Sequence, residues 1–167
     1  MAAAPFSDEV YSLGSKLQKG GFELRKWTGN YWKELNIGAV QISVQGNGRV
    51  TIIQDTGTSL ALVNGAWRPI DSGCTRQIVY STFTGTKESY KLSCPSKTEK
   101  PALFKANFGT HEWQRFTKAH FYSIAVDNSG TLYGVTGGKL YSIAQHQQQY
   151  RKVKNVPANV VWVVAGP

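Results

Sequence analysis

One short phrase recurs four times along the chain and constrains its fold more than any other feature: YWKEL (Tyr31 to Leu35), AWRPI (Ala66 to Ile70), EWQRF (Glu112 to Phe116) and QYRKV (Gln149 to Val153). Each copy sets an aromatic residue, Trp32, Trp67, Trp113 or Tyr150, ahead of a polar or basic residue and an apolar residue three positions on. The aromatics are 35, 46 and 37 residues apart, and 49 when counted from Tyr150 through the termini back to Trp32. A self-similar period of this size means stacked supersecondary units, and the size fits one propeller blade.

The residues between the phrases read as strands. After each phrase comes a run of alternating apolar character, AVQISVQ (39–45), RQIVYSTF (76–83), FYSIAVD (121–127) and NVVWVVA (159–165), the pattern of a strand with one buried face. Turn signals GNG (46–48), TGT (84–86) and NSG (128–130) follow three of them, offering the positive φ that tight hairpins need. Second strands leave these turns as RVTIIQ, ESYKLS and TLYGVT, and third strands follow as SLALV, ALFKANF and KLYSIA. For the remaining unit the second and third strands lie at the N-terminus, as EVYSLG (9–14) and FELRKW (22–27).

These runs predict an all-β chain: a small β-propeller of about four four-stranded antiparallel blades. The blades are 157–167 with 8–35, then 36–70, 71–116 and 117–153, in a single domain of 167 residues. The ring is expected to close where NVVWVVA lies beside EVYSLG, so that the N- and C-terminal strands share one blade and no sheet edge is left free. An incomplete ring that closes by oligomerising is the alternative.

Charge narrows the partners only weakly. Nineteen Lys and Arg against ten Asp and Glu give +9, which favours anionic partners, yet the cations are scattered and form no long basic block. No apolar run approaches bilayer length, so membrane insertion is not expected, and MAAAPFSDEV does not read as a signal peptide.

The repeat resembles the tectonin repeat, whose pattern is a Trp followed by an apolar residue, an IAVG inner strand, a DG turn, a VWGV second strand and an IY third strand. The segment WQRFTKAHFYSIAVDNSGTLYGVTGGKLYSI (113–143) carries the likeness, with Tyr133 at the place of the second Trp. WKELNIGAVQISVQGNGRVTII is a fair second copy with Thr51 there, and the third unit departs most. The resemblance to tectonin and tachylectin-like proteins implies a lectin-type propeller that recognises glycans such as lipopolysaccharide or methylated sugars.

Candidate residues follow from the repeat. Trp32, Trp67, Trp113 and Tyr150 read first as structural anchors between sheets, and second as sugar-stacking platforms. Tyr11, Tyr90 and Tyr133 share one second-strand position; each offers a flat ring with a hydroxyl for a polar ligand, or a core ring with its hydroxyl satisfied. Trp27 and Trp162 fall outside the repeated positions and are ligand candidates. Cys74 and Cys94 lie equidistant from Thr84-Gly85, so a hairpin brings them face to face, as a disulfide or as two thiols. A disulfide would favour a secreted or surface location.

Catalysis is not expected. His111, His120 and His146 have no carboxylate pattern or ligand spacing for a triad or a metal site. Asp55, Asp71 and Asp127 fall at turns and strand ends, where they bond local backbone. GNG and TGG lack the helix and lysine of a phosphate loop, so no cofactor is expected. The expected function is non-catalytic binding of a glycan or glycoconjugate. The alternatives are a structural or protein-interaction subunit, with a protein partner or a second copy, and binding of polyanion or nucleic acid, which ranks last for want of a recognition motif.

Overall fold

The computed structural model describes residues 2–3, 9–45, 48–81, 88–106, 112–127, 129–144, 149–156 and 159–160. The described residues form sixteen strands in four four-stranded antiparallel sheets. The chain divides into two compact units, Met1–Thr75 and Arg76–Pro167.

In the first unit, β1 (Ala2–Ala3), β2 (Val10–Gln18), β3 (Gly21–Trp27) and β4 (Trp32–Ala39) form one sheet in that order. β5 (Gln41–Val44), β6 (Val50–Ile53), β7 (Ser59–Val63) and β8 (Ala66–Pro69) form the next. Both follow chain order because each strand turns straight back on its predecessor, the cheapest connection in loop entropy. β2 and β3 exceed the expected EVYSLG and FELRKW, and their registers shift between Leu13 and Leu17 and between Glu23 and Arg25. Apolar cores form where the alternating side chains meet. Tyr11, Val44 and Val50 make one cluster and Leu24, Ala39 and Ile52 a second, and Leu35, Ile42 and Trp67 pack against both.

In the second unit, β9 (Thr75–Tyr80), β10 (Ser89–Ser93), β11 (Leu103–Ala106) and β12 (Trp113–Arg115) form the third sheet, with β9 beginning at the last residue of the first unit. β13 (Ser123–Val126), β14 (Leu132–Thr136), β15 (Lys139–Ile143) and β16 (Arg151–Lys152) form the fourth. One cluster joins Tyr90, Leu92 and Leu103 to Phe121, Ile124, Leu132 and Ile143, all essentially inaccessible to solvent. Each such side chain contributes about 1.5–3 kcal/mol on burial. Gly134 is required beside it: a Cβ there would stand 2.4 Å from Cδ1 of Phe121. Gln77 of β9 fastens the third sheet to the fourth. Its Nε2 donates to the Ile124 carbonyl at 2.8 Å, and its Oε1 accepts from the Ile124 N–H at 2.9 Å.

The expected strand pattern corresponds to β2–β15 nearly run for run, and the shared aromatic phrase falls in each case on the fourth strand or, for Tyr150, just before it. β1 lies on the edge of β2, with Ala2 opposite Tyr11 and Ala3 opposite Val10, and most of NVVWVVA, the strand expected to close the ring, falls outside the described residues. Residues 161–167, including Trp162, lie outside the described residues, and Val160 donates its N–H to the Gly138 carbonyl at 3.1 Å.

Candidate ligand-binding site

Two of the second-strand tyrosines are enclosed in the protein. Tyr11 and Tyr90 are each 1% exposed. Their hydroxyls are satisfied by acids two residues upstream: Tyr11 donates to Oε2 of Glu9 at 3.0 Å, and Tyr90 to Oε2 of Glu88 at 2.5 Å. The other carboxylate oxygen pairs with a third-strand lysine, Lys26 for Glu9 and Lys105 for Glu88. Each lysine stands opposite its tyrosine across the strand pair, with its ammonium 5.7 Å from the Tyr11 ring and 5.8 Å from the Tyr90 ring. Ring, carboxylate and ammonium thus satisfy one another inside the protein, which corrects the ligand-facing reading of these two residues. Tyr133 is half-buried and donates to Oδ2 of Asp127 at 3.3 Å.

These clusters set a pH dependence. Burial first, and then the adjacent carboxylate, holds the Tyr11 and Tyr90 phenols above the usual tyrosine range. A raised folded-state value means stability that is whole below the ordinary value near 10 and is lost as pH rises from there through the folded value. Following phenolate absorbance, two tyrosines are expected to ionise only with alkaline unfolding, and Tyr90→Phe to reduce that delayed fraction. The Glu9 carboxyl is held low by its hydrogen bond with Lys26, so its contribution is present above the ordinary 4.5 and is lost as pH falls through the folded value.

The repeated fourth-strand aromatics serve two different roles. Trp67 packs into both cores of the first unit, as an anchor should. Trp113 is half-buried beneath the Lys91 ammonium, 5.0 Å from its ring. Tyr150 is 48% exposed, although it meets Tyr141 and Phe121 edge-on at 5.4 and 6.1 Å. Trp32 is 38% exposed, with one side against Trp27 at 5.3 Å and a tilt of 55°. Trp27 is itself half-buried. Trp32 and Tyr150 thus stand more open than Trp67, although all three hold the equivalent place in the repeat.

Trp32 marks the best-formed exposed aromatic surface. Trp27 and Trp32 are opposite one another across β3 and β4, as are Arg25 and Glu34, so these four side chains project from one face of the sheet. The turn between the strands presents a further ring. Gly29 takes φ +97°, the Thr28 N–H donates to the Tyr31 carbonyl at 3.1 Å, and the Thr28 hydroxyl accepts from the Tyr31 N–H at 3.3 Å. Tyr31 is left 62% exposed. A shallow cleft results, lined by Tyr31, Trp32, Arg25, Glu23, Glu34 and Lys33, with Ser15 and Lys16 completing its rim. Arg25 pairs with the buried Glu23, and Lys16 lies 3.7 Å from Glu34. Flat apolar rings thus stand beside a guanidinium and carboxylates that can exchange hydrogen bonds with a polar ligand. The sequence signal for this surface is the adjacent pair Tyr31-Trp32 after a Thr-Gly turn, and of the two only Trp32 falls at a repeated position.

Cys74 and Cys94 flank β9 and β10, and both are disulfide-bonded. His120 is half-buried with Nδ1 3.1 Å from the Pro101 carbonyl, whereas His111 and His146 lie outside the described residues. Asp71 accepts from the Gly73 N–H at 3.2 Å, and Asp127 from the N–H groups of Ser129 and Thr131 at 2.9 Å, which is local turn bonding. The N–H of Asp55 donates to the Gly20 carbonyl.

No family model matches the sequence, and no curated protein matches it significantly. Solved structures do resemble the fold. TolB from Acinetobacter baumannii superposes with a TM-score of 0.66 at 10% identity, over 90% of this chain and 42% of that one. The Dos1 propeller gives 0.55 at 12%, over 78% and 42%, and YCF48 bound to a D1 peptide gives 0.54 at 15%, over 80% and 48%. The chain therefore spans less than half of each of these, and at such identities the likeness is one of fold. That fold is the β-propeller, built here from four four-stranded antiparallel sheets.

Proposed function

We propose that the protein is a non-catalytic binding module of tectonin type that takes a carbohydrate in the cleft at Tyr31 and Trp32. The observation that carries the reading is the exposure of two neighbouring rings, 62% and 38%, beside Arg25, Glu23 and Glu34. A ring face left in water at an edge strand costs hydration free energy unless something covers it, and the C–H face of a pyranose is flat and apolar enough to do so. The guanidinium and carboxylates then bond the sugar hydroxyls at the ring's margin, directly or through water. An open, wet site of this kind gives modest affinity, suited to a ligand that presents many copies.

Tyr31→Ala and Trp32→Ala are each expected to weaken saccharide binding about tenfold, equivalent to about 1.4 kcal/mol. Titration of tryptophan fluorescence with a bound saccharide reads the loss. Tyr90→Phe, which alters only a buried hydroxyl, should leave affinity unchanged. Equal affinity for the wild type and both cleft variants would remove the site.

A further inference from the structure

A second cleft lies in the fourth sheet, at the tip of the β14–β15 hairpin. Gly137 and Gly138 form that tip with φ of +56° and +69°, the pair of left-handed residues that a two-residue hairpin turn demands. Beyond β15 the Val153 N–H donates to the Leu140 carbonyl at 2.9 Å, and the Val160 N–H to the Gly138 carbonyl at 3.1 Å. Asn155 and Asn159 also adopt left-handed φ, +58° and +64°. The half-open cleft beside the hairpin tip holds about 660 Å³.

Its chemistry is one-sided. Lys139, Lys152 and Lys154 line it with Asn155 and Asn159, and among the described residues no carboxylate lines it. Lys139 and Lys152 fall on one face of the β15–β16 pair, because Lys152 is opposite Tyr141 and Lys139 lies two residues before Tyr141. Three other lysines pair with acids, Lys16 with Glu34, Lys26 with Glu9 and Lys105 with Glu88. Among the described residues no ion pair involves any of the three lysines of this cleft. Like charges gathered on one surface repel, so the arrangement gains stability when an anion enters. Ammonium groups and the N–H donors of the asparagine amides, with no carboxylate among the described residues to compete, suit a tetrahedral oxyanion.

We propose that this cleft is a separate binding site for a phosphate or sulfate group, carried free or as an ester. The assignment does not depend on the carbohydrate reading of the Tyr31 and Trp32 cleft. The site can be titrated in the isotopically labelled protein with inorganic phosphate, sulfate, glucose 6-phosphate and glucose, following backbone amide resonances. Saturable shifts confined to residues 137–140 and 152–160 are expected with the first three and none there with glucose. Equal response to phosphate and glucose 6-phosphate means that the oxyanion alone is read; a stronger response to the ester means that its sugar is held as well. Lys152→Gln/Lys154→Gln should weaken phosphate binding about tenfold, while Lys118→Gln should not. Rising salt should weaken binding in the wild type. Both variants replace exposed side chains, and thermal unfolding checks that they fold. Shifts spread over lysines throughout the chain, the same affinity in the double variant, or no saturable response would overturn the proposal.

Discussion

Gln77→Leu is expected to destabilise the protein by about 3 kcal/mol although it leaves the apolar core intact. Gln77 is 5% exposed, and its amide bonds both polar groups of one peptide position, the N–H and the carbonyl of Ile124. β13 is the edge strand of the fourth sheet, so its outward backbone groups have no neighbouring strand. The Gln77 amide stands in for that strand. Leucine fills nearly the same space but leaves a buried donor and a buried acceptor unmet, each costing about 1–3 kcal/mol. Urea unfolding measures the loss through the shift in midpoint. A change below about 1 kcal/mol would mean that water or another group satisfies Ile124.

Glu88→Ala carries the second large effect, again about 3 kcal/mol. Glu88 receives the Tyr90 hydroxyl on one oxygen and Lys105 on the other, and its side chain is 10% exposed. Removing it strands a buried phenol and an ammonium that sits over the rings of Tyr90 and Phe116. Lys105, 26% exposed, recovers part of its hydration, which keeps the cost at the lower end for a broken buried pair. Glu9→Ala removes the same arrangement in the first sheet, but Glu9 and Lys26 are 37% and 33% exposed, so solvent screening reduces the loss to about 1 kcal/mol. Measured side by side in urea, the two variants should differ in that order. Equal losses would show that burial does not govern these clusters.

The Glu-x-Tyr clusters leave a trace in the sequence. Glu9, Tyr11 and Lys26 have the spacing of Glu88, Tyr90 and Lys105, and the two sets are 79 residues apart. The tyrosine repeat was read, but its acid and its lysine lie on different strands and show as partners only once the register is known. Strand order came through readily because alternation and turn residues act locally. The two-residue strand β1 did not: nothing in the pattern of MAAAP distinguishes it from a tail. Gln77 stood out only as a polar residue in an otherwise apolar run, and its partner at Ile124 is 47 residues away. Trp32 shows the limit of reading a repeat. Equivalence of position across four sheets implies a shared backbone place, not a shared environment, and Trp67 is packed where Trp32 is open.

Whether Tyr31 and Trp32 form a sugar platform is tested most directly by probing one saccharide array with the wild type and with the Tyr31→Ala/Trp32→Ala double variant. Signal on a restricted set of glycans that disappears in the double variant, with its thermal stability retained, is the predicted outcome. An array blank for both proteins, or an identical pattern for the two, would contradict it.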